Sequence, residues 1–278
     1  MQQKWLSIHL FYSGSLNLFI EKAIKPFIEL NQEFIFLWFF IRYMENGQHV
    51  RLRLLADKKN VVDLVKKGNF SFGIFFTNFP SERLIENENS FINNAIQIID
   101  YQPETQRYGG KNGILISEQF FNYASETIFD FINTETDYEA TLLIGIVMNL
   151  YVAQSDFENN STTLFQSIFN HWLDFNLQHL AIPEAEMIEQ FETIYAEQGE
   201  MLTEITQSIL FQKNEIEGFE NWQKYCAETL ERLRQTELTK PIPDILASYI
   251  HLNNNRLGIS NFDESLMAYL ILRSLEAE

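Results

Sequence analysis

The sequence predicts an α+β protein in which a small, ferredoxin-like mixed β-sheet is followed by a mostly helical C-terminal half. Two observations point to the sheet. The first part of the chain contains several runs rich in aromatic and β-branched side chains, and Asn46-Gly47 between two of these runs is a strong hairpin signal. A third observation points to the helices, because apolar residues recur three and four positions apart from Ile114 onward.

Four strands and two helices account for the N-terminal part. A helix from Leu16 to about Leu30, with Ser15 as its N-cap, follows the first strand, and a helix over about 60–67 follows the third. The resulting β-α-β-β-α-β order is that of ferredoxin-like folds. Residues 69–94 are expected to form an irregular insertion with a further apolar piece and a polar helix. The strands are predicted near residues 4–12, 34–45, 48–55 and 95–101.

Seven helices are predicted in the C-terminal half. Ser260 opens the last of them through a capping box, this helix runs to about Leu275, and Gly258 ends the helix before it. The six earlier helices are predicted over residues 115–132, 138–154, 162–178, 184–209, 219–235 and 243–252.

Composition and length indicate one folded domain. Hydrophobic residues make up 46% of the chain, so it contains enough apolar surface to offset the chain entropy lost on folding. We interpret residues 1–278 as a single domain whose sheet part covers 1–113 and whose helical part covers 114–278.

Cysteine usage and the N-terminal sequence predict a soluble cytoplasmic protein. The single cysteine, Cys226, cannot form an internal disulfide, which fits a reducing compartment. The N-terminus lacks the basic and apolar regions of a secretory signal. The most apolar run, from Phe34 to Ile41, is far shorter than the roughly 20 residues that span a bilayer.

The net charge of −18 is concentrated in the helical half. Residues 1–116 contain 13 Lys and Arg against 11 Asp and Glu, whereas the remainder contains 7 against 27. Binding to phosphates needs a concentrated basic patch, so direct tRNA binding is not expected. The sequence also lacks phosphate-binding glycine loops, zinc-binding Cys and His spacings and a Gly-x-Ser-x-Gly elbow.

The predicted hairpin carries the first candidate site. Side chains alternate along a strand, so His49, Arg51 and Arg53 share one face while Val50 and Leu52 lie on the other. Such a face is either a solvated surface whose arginines pair with carboxylates or an anion site, because a guanidinium is matched to a carboxylate.

Two further segments contain residues that are able to carry chemistry. Arg107 and Tyr108 precede a Gly-Gly pair, which is either a tight connection or a place where the backbone approaches a ligand. His251 lies near the predicted end of a helix, where it either complements the helix dipole or acts as a general acid or base. The other histidines outside the hairpin are interpreted as structural: His9, His171 and His179.

Taken together, these segments resemble the thiopeptide-type bacteriocin biosynthesis family, which includes the elimination domain of lantibiotic dehydratases. The resemblance covers nearly the whole chain, although residues 69–94 have no counterpart and the acidic half matches only in helical character. The segments that carry it are WLSIHLFY at 5–12, FIRY at 40–43, HVRLR at 49–53, Y-x-PE-x-x-RYGG at 101–110 and H-x-x-NNRLG at 251–258.

The resemblance implies a lyase that removes glutamate from glutamylated Ser or Thr of a ribosomally made precursor peptide and leaves a dehydroamino acid. It implies no metal or organic cofactor and a separate glutamylating dehydratase as partner, and exposed strand edges make a homodimer possible. We expect the site residues to converge on one cleft between the sheet and the helices. The catalytic residues implied are Arg51, Arg53, Arg107 and His251, and the substrate-binding residues are Arg42, His49, Tyr108, Asn254 and Arg256.

Two alternatives stay open. The family also contains cycloaddition enzymes that build the pyridine ring of thiopeptides, and they share the fold. The third hypothesis is a non-catalytic module that binds the precursor peptide. The presence of His251 together with all three arginines argues against it, because docking alone requires no titratable centre.

Overall fold

The computed structural model describes residues 2–82, 91–155 and 161–277. The chain divides into two compact units, of which the first comprises Met1–Glu104 with Ser117–Thr136 and the second comprises Thr105–Ile116 with Asp137–Glu278. The predicted fold class is confirmed, because a small sheet is followed by helices. We call the two parts the sheet unit and the helical unit.

The sheet has four strands in the order β2-β3-β1-β4. Every pairing is antiparallel, so the sheet has the ferredoxin-like order but is antiparallel where a mixed sheet was predicted. The reason is that β3 lies between β1 and β2 and runs opposite to both, so the two strands joined by the first crossover never pair directly. The strands are β1 (Gln3–Phe11), β2 (Ile35–Tyr43), β3 (His49–Asp57) and β4 (Ala95–Ile98).

The first crossover is helical, as predicted. Ser15 is its N-cap, because the Ser15 hydroxyl accepts a hydrogen bond from the Leu18 backbone amide at 3.3 Å. A π-helical turn connects α1 to α2, and a 3₁₀ turn connects α2 to β2. The segments are α1 (Leu16–Phe19), the π turn (Ile20–Ile24), α2 (Lys25–Asn31) and the 3₁₀ turn (Gln32–Phe34).

Helix α3 (Val61–Asn78) is longer than predicted and includes the first part of the stretch that was expected to be irregular. Phe72, Phe75 and Phe76 recur at helical spacing and are buried, and each packs against Phe19 of α1. The apolar run therefore extends the helix because its phenylalanines complete the core. The polar helix predicted after it falls partly on 83–90, which lie outside the described residues.

One face of the sheet forms this core. Leu6, Ile8 and Leu10 of β1 and Leu52 of β3 are almost fully buried, and burial of each such side chain contributes about 1.5–3 kcal/mol. Because side chains alternate along a strand, the polar residues of the same strands are directed to the other face. The hydrophobic core thus fixes which face of the sheet carries the candidate site.

Helix α4 (Lys111–Phe131) covers the edge strand β2. The Asn122 side-chain oxygen accepts a hydrogen bond from the Trp38 backbone amide at 2.8 Å, and the Ser125 hydroxyl accepts one from the Phe40 amide at 3.3 Å. Edge amides that would otherwise be free to pair with another strand are therefore satisfied within the sheet unit.

In the described part of the helical unit six helices follow α4, and all the predicted helices are present with ends shifted by a few residues. The exception is α9, which extends five residues beyond its predicted end at Leu252 to Leu257, where Gly258 adopts a φ of 85°. His251 therefore lies within α9. The helices are α5 (Tyr138–Gln154), α6 (Ser161–His179), α7 (Glu184–Leu210), α8 (Glu220–Arg234), α9 (Ile242–Leu257) and α10 (Asn261–Glu276).

Two capping residues begin the helices that matter for the site. Asp137 caps α5 by accepting a hydrogen bond from the Ala140 amide at 2.7 Å. Ser260 caps α10 as predicted, by accepting a hydrogen bond from the Asp263 amide at 3.1 Å. Among the described residues, no helix is both long enough and apolar enough to cross a membrane.

Candidate functional site

The polar face of the sheet brings together residues from two central strands. On β3, His49, Arg51 and Arg53 share this face, as the alternation predicted. The antiparallel register places His9 of β1 opposite Arg51 and Ser7 of β1 opposite Arg53. We call these five residues the arginine face.

His49 orients Arg51. Its ring is 1% exposed; Nδ1 donates to the Gly47 carbonyl at 2.7 Å, and Nε2 accepts from Arg51 Nε at 3.1 Å. Burial, reinforced by Arg51 and Arg53, lowers the pKa of His49 to about 4 against the opposing effect of the Gly47 bond. His49 is therefore neutral near pH 7 and fixes the arginine without neutralising its charge. Arg51 also lies over the Tyr43 ring, with Cζ 3.3 Å from the ring centroid.

His9, which was interpreted as structural, belongs to the same face. Its ring stacks on that of His49 with centroids 5.3 Å apart. Burial first, and then Arg53, Arg51 and His49, lower the pKa of His9 to about 3. The sequence could have predicted this position of His9. Trp5, Ser7, His9 and Phe11 are spaced two residues apart, so their side chains lie on one side of β1.

Arg53 is buried with unused hydrogen-bonding capacity. It is 7% exposed, and its Nε and Nη1, like the buried Ser7 hydroxyl opposite, have no hydrogen-bond partner within the described part of the chain. Burial and Arg51 lower the pKa of Arg53 to about 10, while Tyr101 and Glu104 act in the opposite direction. With a pKa of about 10, the Arg53 guanidinium is charged at neutral pH, and its N–H groups are suited to donate hydrogen bonds to an anionic ligand.

The buried carboxyl group of Glu118 forms a hydrogen bond with Tyr101, whose ring lies next to Arg53. Glu118 of α4 accepts hydrogen bonds from the side chains of Tyr101 and Trp5, and burial raises the pKa of Glu118 against those bonds. The Tyr101 ring lies 5.2 Å from Arg53 Cζ and packs edge-on against Trp5 at 5.3 Å. Sequence reasoning missed Glu118, because a glutamate within a helix gives no sign that it is buried.

Arg42 lies on the other face of the sheet. It pairs with Val50 in the β2–β3 register and donates from Nη2 to the Asn17 side-chain oxygen at 2.7 Å. Burial lowers the pKa of Arg42 to about 10. The substrate-binding role given to Arg42 stays a prediction, and it would need access from the face opposite to Arg51.

The second cluster is built around His251 in the helical unit. His251 Nδ1 lies 2.8 Å from Oε1 of Glu264, which is 2% exposed at the start of α10. Asn254 donates to the other carboxylate oxygen at 3.2 Å and accepts from Asn149 at 3.1 Å. Burial raises the pKa of Glu264, while the bonds from His251 and Asn254 oppose that rise. The Trp172 ring packs on His251 with centroids 4.9 Å apart.

Arg107 reaches the same helix as His251. Its Nε donates to the Ser248 hydroxyl at 3.2 Å, and Ser248 lies one turn before His251 on α9, so both predicted catalytic residues are on one side of that helix. The glycines that follow have positive φ, 77° at Gly109 and 99° at Gly110, which explains why this turn requires glycine.

Three residues predicted to bind substrate are buried in the helical unit. Tyr108 stacks on Tyr249 with centroids 6.0 Å apart. Arg256 is fully buried, donates to the Leu252 carbonyl at 3.1 Å and has its pKa lowered to about 9 by burial, with Tyr108 opposing. Asn254 joins α9 to α10 through Glu264, whereas Tyr108 packs on α9 and Arg256 bonds within it. Direct contact of these three residues with substrate stays a prediction.

The candidate residues thus fall into two sets. The arginine face belongs to the sheet unit, whereas Arg107 and His251 belong to the helical unit. That they converge on one cleft stays a prediction. Within residues 2–82, 91–155 and 161–277, no three His, Cys, Asp or Glu side chains are grouped as metal ligands.

The fold of this chain, an antiparallel sheet followed by a helical unit, is similar to that of three solved structures. The pyridine synthase TbtD from thiomuracin biosynthesis superposes with a TM-score of 0.79 at 13% identity, covering 98% of this chain and 97% of TbtD. The tRNA-dependent lantibiotic dehydratase MibB from Microbispora sp. 107891 gives 0.65 at 16% identity, covering 98% of this chain and 28% of MibB. TsrL gives 0.65 at 16% identity, covering 99% and 94%.

The chain belongs to the lantibiotic biosynthesis dehydratase C-terminal family, whose model matches residues 5–275. This confirms the family resemblance carried by the sequence motifs. The epidermin biosynthesis protein EpiB of Staphylococcus epidermidis is 26% identical over 275 residues, which cover 91% of this chain and 24% of EpiB. The chain therefore spans about a quarter of the length of this curated relative.

Proposed function

We propose that this protein is a lyase that removes glutamate from glutamylated Ser or Thr residues of a ribosomally made precursor peptide. The observation that carries the proposal is the arginine face, where the buried Nε and Nη1 of Arg53 have no hydrogen-bond partner among the described residues and Arg51 is fixed by a neutral His49. The reaction develops negative charge on an oxygen and releases a carboxylate, and preorganised cations stabilise both.

The proposed reaction breaks the Cα–H bond and the Cβ–O ester bond, and it forms a base–H bond and the Cα–Cβ π bond. A base takes the Cα proton, and the electron pair left behind delocalises onto the peptide carbonyl oxygen as an enolate. The Cα–Cβ double bond then forms as the bond from Cβ to the ester oxygen breaks, so glutamate leaves as a carboxylate and dehydroalanine or dehydrobutyrine remains. Because the ester already provides the leaving group, the proposal requires no metal or organic cofactor.

Each predicted catalytic residue has a role in this scheme. Arg51 and Arg53 stabilise the enolate or the departing carboxylate, and Arg107 serves the same purpose from the helical unit. His251 acts as the base that takes the Cα proton or as the acid that assists the leaving group. The alternatives share one requirement, which is that Nε2 of His251 exchanges the proton while Nδ1 is bonded to Glu264.

The family and its relatives support the proposal at a coarser level. The matching family is described as the C-terminal part of a lantibiotic biosynthesis dehydratase, and the relative at 26% identity is a protein of epidermin biosynthesis. Dehydration by elimination needs a preceding glutamylation, and we propose that a glutamylating dehydratase domain or partner protein supplies the glutamylated peptide. We further propose that this chain itself makes no contact with tRNA and acts in the cytoplasm.

Incubation of a pre-glutamylated precursor peptide with the protein tests the function directly. We expect the mass of the peptide to fall by loss of glutamate, with free glutamate released in equal amount. Arg51→Ala, Arg53→Ala, Arg107→Ala and His251→Ala should each slow the loss by about a hundredfold or more, because a group aimed at a developing oxyanion contributes about 3–4 kcal/mol. The glutamyl ester should persist in these variants.

Arg273→Ala is the matched control. Arg273 is a partly exposed arginine in ion pairs with Glu192 and Glu276, and surface pairs of this kind contribute under about 1 kcal/mol to stability and nothing to rate. If the four site variants release glutamate at the rate of this control, the elimination site is wrong.

The second candidate function is cycloaddition to a pyridine ring. The observation that favours it is the similarity to the pyridine synthase TbtD, which extends over 97% of that chain with a TM-score of 0.79. A protein that leaves the glutamylated peptide unchanged but converts a linear, dehydrated thiopeptide precursor into a ring would replace the first proposal with the second. A protein that binds the precursor but changes neither substrate would be a binding module.

A further inference from the structure

The buried carboxylate of Glu264 has entered the proposed function only as the hydrogen-bond partner of His251 Nδ1. It lies at the start of α10, 2% exposed, and its two oxygens are directed at His251 and Asn254. A glutamate in the first turn of a helix ordinarily faces water and complements the helix dipole. Burial of a carboxylate is costly unless its oxygens are paired, so this position calls for an explanation.

We propose that Glu264 is the positioning residue of His251: it holds the imidazole as the Nδ1–H tautomer and stabilises the imidazolium when Nε2 takes up a proton. The inference rests on the proposed function and names a residue that the motifs did not contain. When the imidazole is neutral, a carboxylate at 2.8 Å from Nδ1 accepts a hydrogen bond, which requires the ring proton on Nδ1 and leaves the Nε2 lone pair free.

The surroundings of the carboxylate fix its position. Asn254 donates to its second oxygen at 3.2 Å, and the oxygen of the same amide accepts from Asn149 of α5 at 3.1 Å, which determines how the Asn254 amide is oriented. Trp172 of α6 packs against the imidazole. Three helices other than its own thus restrict His251, which is the arrangement needed to keep a proton-transferring ring in one orientation.

The same arrangement serves both roles left open for His251. As a base, the Nδ1–H tautomer presents an unprotonated Nε2 to the Cα proton, and the carboxylate then stabilises the imidazolium that forms. As an acid, the imidazolium donates its Nε2 proton and returns to that same tautomer. In each case the loss of the Glu264 charge disfavours the imidazolium.

Two measurements test the proposal. The first is independent of activity: ¹⁵N NMR of histidine-labelled protein, with His251→Gln identifying the signal among the five histidines. We expect neutral His251 to carry its proton on Nδ1 and Glu264→Gln to alter the tautomer balance. A neutral His251 that carries its proton on Nε2 in the unmodified protein would overturn the proposal.

The second measurement is the pH dependence of glutamate release. Glu264→Gln should lower kcat by about 10- to 100-fold, as outer-shell partners of functional histidines typically do, with little change in KM. The affected limb of the kcat profile should move to lower pH, because without the carboxylate the imidazolium is less stable. Two further groups bear on this profile: His171 of α6 acts on the charge of Glu264, and Arg107 reaches the same side of α9 as His251.

Control variants separate positioning from folding. Glu264→Asp keeps the charge and should restore part of kcat, and Glu192→Gln, which removes the same charge from an exposed ion pair, should leave kcat and its pH profile unchanged. Unchanged kcat and pH profile in Glu264→Gln would also overturn the proposal. If the unmodified protein releases no glutamate at all, the proposed function fails, while the NMR measurement still decides whether Glu264 sets the tautomer.

Discussion

Two neutral histidines on the arginine face make the stability of the protein sensitive to mild acid. The pKa of His9 is lowered to about 3 and that of His49 to about 4, whereas both have the ordinary value of 6.5 in the unfolded chain. The unfolded state therefore binds more protons than the folded state as the pH falls below 6.5. The free energy of unfolding must decrease over this range, from the unfolded pKa down to the folded values.

The magnitude at about pH 5.5 depends only on the folded pKa values lying well below that pH. Each histidine then binds a proton in the unfolded chain alone, which costs about 1.4 kcal/mol of stability relative to about pH 7.5. Both side chains are more than nine-tenths buried, so solvent screening leaves the effect intact. Together they account for about 3 kcal/mol, which is a large share of the roughly 5–15 kcal/mol that is typical of a folded domain.

Urea denaturation of the unmodified protein and of His9→Gln/His49→Gln at the two pH values measures this effect. Glutamine keeps a polar side chain that does not titrate. We expect the unmodified protein to lose about 3 kcal/mol more than the double variant on acidification. Buried carboxyls such as Glu118 and Glu264 have raised pKa values and act in the opposite direction, but they are present in both proteins and cancel in the comparison. Equal losses in the two proteins would refute the argument that both histidines are neutral.

Two further substitutions probe the site and the packing. In Arg51→Lys the charge remains but the Nε–H bond to His49 is lost, so we expect glutamate release to slow by about tenfold or more while the free energy of unfolding changes by under about 1 kcal/mol. In Gly145→Ala the new Cβ would lie 2.7 Å from Ile259 Cδ1, so thermal denaturation should show a loss of about 1–3 kcal/mol. Gly73→Ala is its control, since a Cβ there meets nothing within 4 Å and the helical position should gain up to about 1 kcal/mol.

Sequence patterns predicted which helices and strands form more accurately than the residues at which they end. The ferredoxin-like order followed from alternating runs and the Asn46-Gly47 turn, and the Ser15 and Ser260 caps are present. The end of α3 was missed because residues 69–94 were expected to form an irregular insertion, whereas three phenylalanines buried in the core extend the helix to Asn78. Tertiary packing overrides local propensity at such positions.

The sequence predicted where a candidate residue lies when the period of the strand decides its position, but not when burial decides it. The period of two placed Arg51 and Arg53 on one face. It applied equally to His9, which was set aside because its neighbours in sequence are apolar. Nothing in the local sequence distinguishes Glu264 from an exposed glutamate in a first helical turn, since its burial depends on contacts with α9 formed only in the folded chain.

The choice of histidine on the arginine face has a physical consequence for anion binding. Two arginines side by side need partners that orient them, and carboxylates would do so by forming ion pairs that consume their charge. His49 orients Arg51 through a neutral acceptor, and Arg51 also forms a long ion pair, at 3.9 Å, with the exposed carboxylate of Glu45. Arg53 lies beside the Tyr101 ring, and within the described part of the chain its Nε and Nη1 have no hydrogen-bond partner. The face thereby keeps positive charge, which the proposed function would use to stabilise a carboxylate or enolate, and the low pKa values of His9 and His49 follow from the same arrangement.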